Sequence, residues 1–176
     1  PEVPDAVVVS VPVAGALKVL EEAAAVQIPA AVLFSEGFAD AGTEEGQLRN
    51  TALLKFAGES GMAISGPNSM GILSRARHYA ASFMLLPKDL KTGGISVISQ
   101  SGGLTNALTE LGRNRGLGFN YLISAGNEAV INAADYLEWL AEDAGTNVIV
   151  AIVEGIKDGP RFRAALTHAA AKKPVV

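Results

Sequence analysis

Residues 95–115, ISVISQSGGLTNALTELGRNR, decide the fold. Ile95–Ser99 reads as a strand, and Leu104, Ala107, Leu108 and Leu111 then recur at helical spacing, which predicts a helix over Gly103–Arg115. A strand that passes straight into a helix leaves the first amides of that helix without intrahelical partners, at the positive end of its dipole. Gly102 and Gly103 let a ligand approach the backbone closely, and Ser99 and Ser101 add hydroxyl donors, so the loop reads as a phosphate cradle. The plainer alternative is a serine N-cap on a close-packed helix. The loop is not a P-loop, because no Lys-Ser/Thr pair follows, and no G-x-G-x-x-G is present for a dinucleotide.

The same alternation extends in both directions. Downstream come a strand over Phe119–Ser124, a helix over Asn132–Glu142, a strand over Val148–Val153, a helix over Pro160–Ala171 and the start of a strand at Pro174–Val176. Upstream lie a strand over Val7–Val11, a helix over Val13–Val26 and a strand over Ala30–Phe34. A helix over Glu44–Ser60, carrying Leu48, Leu53, Leu54 and Phe56, and a short strand over Met62–Ser65 follow. Continuous apolar runs mark strands buried on both faces, and strands alternating with helices of this length call for parallel pairing through right-handed crossovers. The expected fold is α/β, with two consecutive open parallel sheets. Between Ser74 and Thr92 the stretch SRARHYAASFMLLPKDLKT has no sustained period and suits a connection between sheets. A boundary near Leu85 gives units of residues 1–85 and 86–176. Because the chain opens just before a buried strand and ends inside one, it is expected to be a piece of a longer polypeptide.

Composition agrees. An apolar fraction of 49% over 176 residues supports one ordinary core or two small ones, and a charged fraction of only 18% suits sheets covered on both faces. With 14 basic against 18 acidic residues and no basic run, a nucleic-acid partner is not expected. The absence of cysteine excludes disulfide scaffolds, thiolate metal sites and cysteine nucleophiles, and no metal site is expected. No apolar run reaches the ~18 residues a membrane span needs. The reading is a cytoplasmic protein without a membrane partner.

Open parallel sheets bind ligands beyond the carboxyl ends of their strands. Those ends are small and polar here: Ser10-Val11-Pro12, Ser35-Glu36-Gly37-Phe38, Ser65-Gly66-Pro67-Asn68-Ser69, Ser99–Gly103, Ser124–Glu128 and Glu154-Gly155. Glu154 ends an apolar strand, where a carboxylate can accept a hydrogen bond from an imidazole N–H, fix its tautomer and leave the other nitrogen free to act. Neither His78 nor His168 is placed to be that imidazole, and simple pairing with Lys157 is the alternative. A serine-hydrolase order, Ser101 then Asp135 or Asp158 then His168, is present, but Ser99 stands where a nucleophile elbow needs glycine and His168 falls on the outer face of a helix.

These strand ends together resemble the NDP-forming acyl-CoA synthetases, the superfamily of succinyl-CoA synthetase and ADP-forming acetyl-CoA synthetase. PEVPDAVVVSVP resembles a CoA-domain strand, SEGFADAGTEEG a glycine-phenylalanine loop, and GPNSMGIL a GPNC-x-G motif with Ser69 in place of the cysteine. ISVISQSGGLTNALTELGRNRGLGF resembles the phosphate helix, with Gly103 where alanine is frequent. SAGNEAVINAADYLEWLAEDAGTNVIVAIVEGIKDGPRF resembles the segment that follows it.

The resemblance implies part of a Rossmann-like CoA-binding domain followed by a flavodoxin-like domain of the succinyl-CoA synthetase type. It implies coenzyme A along Ser10, Val11, Pro12, Ser35, Glu36, Gly37, Asn68 and Ser69, and phosphate on Ser99, Gln100, Ser101, Gly102, Gly103 and Leu104. Glu154 would orient a phosphohistidine supplied from beyond these residues. The implied reaction joins a small carboxylic acid to CoA, using ATP with Mg through an acyl phosphate and the phosphohistidine. An ATP-grasp domain or subunit would be the partner, in an oligomer, and these residues alone would not turn over. A second reading is the CoA-binding regulatory part of a protein-lysine acetyltransferase of the same architecture.

Overall fold

The computed structural model describes residues 2–85 and 87–176. Pro1 and Leu86, the residues from which the two expected units were counted, lie outside the described residues.

Three strands, β1 (Val7–Val9), β2 (Ala30–Leu33) and β3 (Ala63–Ser65), form a parallel sheet in that order, with Val7 opposite Ala31 and Ala31 opposite Ile64. Helices α1 (Val13–Ala25) and α2 (Glu44–Ser60) supply the crossovers. Local chemistry sets the bounds of α2. The Thr43 side chain caps its start by accepting from the Gly46 amide, Glu44 and Glu45 face the positive end of its dipole, and Gly61 closes it in the left-handed conformation. The helices bury Leu20 and Leu53 against Val9, Leu33, Phe38 and Ile64.

The second sheet is built from β4 (Gly71–Ser74), β5 (Tyr79–Ser82), β6 (Lys91–Ser99), β7 (Gly118–Ser124) and β8 (Val148–Ile152), in the order β5-β4-β7-β6-β8. Strands β7, β6 and β8 are parallel to one another, through α3 (Gly102–Asn114) and α4 (Ala133–Glu142), and α5 (Gly159–Lys172) follows β8. Successive residues serve opposite faces. Ile98 and Ile123 enter one core with Leu137, Leu140 and Ile149, while Val97 and Leu122 enter the other with Leu73, Leu90 and Phe119. Val175 bridges Ile149 in parallel, beginning a further strand at the β8 edge.

Two expectations are corrected here. The second sheet is mixed rather than all parallel, because β4 runs antiparallel to both β7 and β5. The aperiodic stretch after Ser74 is therefore not a bare connection but the turn and return strand of a hairpin. That hairpin is hydrogen-bonded into the second sheet, with Ile72 opposite Ile123, although the boundary near Leu85 would assign it to the first unit.

The two units share a wall. Loop residues after β7 lie along β3: Ile131 donates its amide to the Ile64 carbonyl at 3.1 Å, Ala129 to Gly66 at 2.9 Å and Asn127 to Pro67 at 2.9 Å. The Gly66–Pro67 bond is cis. The buried Tyr136 hydroxyl donates to Ser65 Oγ at 2.7 Å, and Ala129 and Val130 pack against the first core. Strand ends from both sheets therefore open on one region.

Candidate functional site

The expected residues divide into two groups. Ser10, Val11, Pro12, Ser35 and Glu36 line an open cleft of 630 Å³ at the ends of β1 and β2, together with Val13, Phe34 and Phe83. The Ser35 hydroxyl donates to the Val11 carbonyl at 2.6 Å, tying the two strand ends together. Phe83 comes from the residues just after β5 and meets Phe34 edge-on, with ring centroids 4.9 Å apart. Nothing in the aperiodic stretch around Phe83 marked it as a wall residue, since its position depends on the hairpin joining the second sheet.

Gly37 sits in the loop that follows. Its amide and that of Phe38 donate to the two Asp40 carboxylate oxygens, each at 2.9 Å, and its carbonyl accepts from Arg49 at 3.1 Å. Burial raises the Asp40 carboxyl, but hydrogen bonds from Gly37, Asn127 and Phe38 outweigh that and hold it below its ordinary range. Asn68 donates its amide to the Ser35 carbonyl at 2.9 Å and its side chain to Asn127 at 3.3 Å. Ser69 is placed differently from its expected role. Its buried hydroxyl donates to the Ser124 carbonyl and accepts from the Gly71 amide at 2.8 Å, so it ties the start of β4 to the end of β7 within the second sheet instead of facing the cleft.

The second group gathers where β6, β7 and β8 end. The Ser101 side chain caps α3 by accepting from the Leu104 amide at 3.3 Å. The amides of Gly102 and Gly103 have no protein partner among the described residues, and the capping hydroxyl keeps its own proton to donate. Two expected phosphate donors are thereby corrected. The Leu104 amide is already capped, and the fully buried Ser99 hydroxyl is spent internally, donating to the Ser101 carbonyl at 2.8 Å and accepting from the Ser101 amide at 3.1 Å.

Gln100 uses every valence of its side-chain amide. Its Oε1 accepts from the amides of Glu154 at 2.7 Å and Gly155 at 2.9 Å, and its Nε2 donates to Glu128 Oε2 at 2.9 Å and the Gly155 carbonyl at 2.8 Å. This holds the Glu154 backbone beside the phosphate loop while its carboxylate remains exposed. Glu154 makes no ion pair with Lys157, whose ammonium donates instead to the carbonyls of Asn127 and Glu128.

Glu128 was not singled out from the sequence, although it closes one of the polar strand ends quoted above. It is 5% exposed, and its Oε1 is buried without a hydrogen-bond partner. Burial pushes its carboxyl above the ordinary range, partly offset by the Gln100 hydrogen bond, the nearby Ala133 amide and Lys157. Burial likewise lowers the Lys157 ammonium.

The hydrolase constellation is not assembled. Asp135 caps α4 and pairs with Arg161, Asp158 caps α5, and His168 meets Glu142 at the surface. No helix among the described residues is long and apolar enough to cross a membrane.

Comparison with known proteins matches both units. Residues 1–75 match the CoA binding domain family, and residues 92–176 match the succinyl-CoA ligase like flavodoxin domain family. The chain is 34% identical over 176 residues to the ADP-forming acetate–CoA ligase I of Archaeoglobus fulgidus, covering 100% of this chain and 25% of that protein. It is 35% identical over 178 residues to the alpha subunit of the ADP-forming acetate–CoA ligase I of Pyrococcus furiosus, covering 99% of this chain and 38% of that subunit. The acetyl-coenzyme A synthetase 1 of Candidatus Korarchaeum cryptofilum, solved in complex with phosphate and ADP, has a TM-score of 0.91 at 30% identity, covering 99% of this chain and 37% of that one. The chain spans well under half the length of each of these relatives. With the two domain families in succession and acid–CoA ligases matched along its whole length, this chain belongs to the NDP-forming acyl-CoA synthetase family.

Proposed function

We propose that this chain is the part of an acyl-CoA synthetase that holds coenzyme A and a phosphoryl group in transit. The enzyme would make an acyl-CoA thioester from a small carboxylic acid, CoA and ATP, through an acyl phosphate and a phosphohistidine. The observation that carries this reading is the pair of amides at Gly102 and Gly103, unpartnered among the described residues, directly after a loop tied through Gln100 to the strand tip that bears Glu154. Preorganised amides lower the energy of charge that builds on phosphate oxygens during transfer, and they need no reorientation when it arrives. Glu154 is unsuited to touch the phosphate directly, because two anions repel. It is suited to accept an imidazole N–H, which keeps the other ring nitrogen directed at phosphorus.

The cleft between Ser10–Val13 and Phe34–Glu36 fits coenzyme A in character: apolar walls from Val11, Phe34 and Phe83, with serine and backbone groups along the rim. Bound there, CoA would supply the thiol that attacks the acyl carbon of the acyl phosphate and displaces phosphate. The relatives' ADP-forming names support ATP as the phosphoryl donor and ADP as its product, which we assign, with Mg, to an ATP-grasp domain or subunit. We place the junction of the two units within Gly66–Met70, the enzyme in the cytoplasm, and its working form in an oligomer.

The test is labelling of the full-length protein with γ-phosphate-labelled ATP. An acid-labile phosphoenzyme is expected, and Glu154→Gln should slow its formation by about 10²-fold, the scale of losing one oriented catalytic group. Labelling that Glu154→Gln leaves undiminished would overturn the reading.

A further inference from the structure

The loops that end β6, β7 and β8 come from residues far apart in sequence, yet a single side chain binds all three. Gln100, in the β6 loop, can accept from Glu154 and Gly155 only if its amide oxygen points toward the β8 loop. Its nitrogen must then point toward Glu128 in the β7 loop, where Oε2 receives it at 2.9 Å. An amide and a carboxylate differ here in one respect. The glutamine could be turned end for end in open solvent, whereas an ionised carboxylate and a carbonyl can only accept, so Glu128 and the Gly155 carbonyl, which receives the same nitrogen at 2.8 Å, together dictate which end of Gln100 faces them. Turned over, the Gln100 nitrogen would confront the N–H groups of Glu154 and Gly155 donor to donor. Glu128 is itself fixed. It is 95% buried by its 5% exposure, its backbone is left-handed at φ 52°, and Lys157 clamps its carbonyl and that of Asn127 at 2.9 and 2.8 Å. Asn127 in turn donates to Asp40 at 2.7 Å, so the same loop reaches the segment that follows Glu36 in the CoA cleft.

We propose that Glu128 is a positioning residue for phosphoryl transfer, which holds Glu154 and the Gly102–Gly103 amides in register by fixing the orientation of the Gln100 side chain. The inference rests on the functional reading above for what is being positioned, but its geometric core stands apart from that reading. The carboxylate touches neither cofactor nor reacting atoms, and it acts through Gln100.

The experiment is amide hydrogen exchange on the full-length protein, resolved at Glu154 and Gly155. Glu128→Ala should raise exchange at both amides about tenfold, the scale of one lost hydrogen bond, and Gln100→Ala should do the same. The double variant should add little to either, because the two residues act in series. Glu128→Gln should keep most of the protection, since its carbonyl oxygen can still accept from Gln100. Amides of β1–β3 should be unaffected in all four variants. Unchanged exchange at Glu154 and Gly155 in Glu128→Ala, additive effects in the double variant, or exchange raised throughout the chain would overturn the inference. The second readout is the single-turnover rate of phosphoenzyme formation, expected to fall about 10- to 100-fold in Glu128→Ala while CoA affinity holds. If Glu154→Gln labels normally, the functional reading fails and the exchange data still decide whether Glu128 orients Gln100. If Glu154→Gln is impaired and Glu128→Ala labels at the native rate, only the positioning role fails.

Discussion

Gly102 and Gly103 stand side by side at the start of α3 and are constrained in opposite ways. A Cβ at Gly102 would lie 2.2 Å from the sulfur and 2.6 Å from Cγ of Met70, whereas one at Gly103 would meet only Ser101 Oγ at 3.9 Å. Gly102 is thus crowded by the side chain of Met70, the residue that leads into β4, which a side chain at position 102 would displace, and Gly103 is open. Gly103→Ala should leave stability within about 1 kcal/mol of native or improve it, because alanine is the better helix former. Gly102→Val should lower stability by about 1–3 kcal/mol through overpacking and block phosphoenzyme formation in the full-length protein. Denaturant midpoints and labelling measured on the same two variants check both statements. A Gly102→Val protein as stable as native would show that Met70 yields freely. At this scale the sequence was partly legible. Ser101, Gly102 and Gly103 announce themselves because they sit between a strand and a helix, but the hydroxyls of Ser69 and Ser99 look free in a one-dimensional reading and are consumed by folding. Glu128 looks like any glutamate in a polar loop, since its burial comes from the wall that loop forms with β3.

Helix α3 illustrates how an element can be read correctly while its orientation is not. The regular spacing of Leu104, Ala107, Leu108 and Leu111 does mark a helix, but the residues it buries are Thr105, Thr109 and Gly112. Leu104 and Leu111 are 47% and 51% exposed, and of the three leucines only Leu108 packs against the core of the second sheet. The reason lies in the sheet beneath. Phe119 fills the space above Gly112, its ring 2.5 Å from where a Cβ would stand, and the threonines turn their hydroxyls back to carbonyls one turn earlier, Thr105 to Ser101 at 2.9 Å and Thr109 to Thr105 at 2.7 Å. Small residues let the helix lie close to the sheet, and periodicity cannot distinguish a leucine stripe facing a core from one facing outward. Leu111→Gln should therefore change the stability of this chain by no more than about 0.5 kcal/mol, while Gly112→Ala should cost about 1–3 kcal/mol by pressing on Phe119. Urea unfolding of the two variants separates the faces, and a large loss in Leu111→Gln would restore the leucines to the core. The β4–β5 hairpin escaped a local reading for a related reason. Its strands are four residues each, and what anchors them is the pairing of β4 with β7, more than forty residues downstream, with β5 added outside β4.

Across the molecule, the strand order β5-β4-β7-β6-β8 brings the chain from the first sheet into the second next to β7, the strand whose following loop returns to β3. The two sheets are consequently joined by the chain through Gly66–Met70 and by the return of residues 127–131, besides the Tyr136–Ser65 and Phe34–Phe83 contacts. Gly126 lies directly against the Pro67–Asn68 backbone of the first path. Its φ is +63°, and a Cβ there would lie 2.3 Å from the Pro67 carbonyl oxygen and 2.6 Å from that of Asn68. Both are backbone atoms that cannot rotate away, so a side chain would have to push the units apart. Unfolding of the native chain should accordingly be cooperative across both sheets. The sole tryptophan, Trp139, stacks edge-on against Tyr121 with ring centroids 4.7 Å apart, so its fluorescence reports on the second unit, while far-ultraviolet circular dichroism reports on both. The two probes should give one coincident transition for the native chain. Gly126→Val combines a strained backbone conformation with a clash and should lower the midpoint by roughly 2–4 kcal/mol equivalent, with the probes separating as the wall opens. Coincident transitions that Gly126→Val leaves unshifted would mean that the return loop contributes no coupling, and that the CoA cleft and the phosphate loop are held together by the covalent chain and by the Tyr136–Ser65 and Phe34–Phe83 contacts.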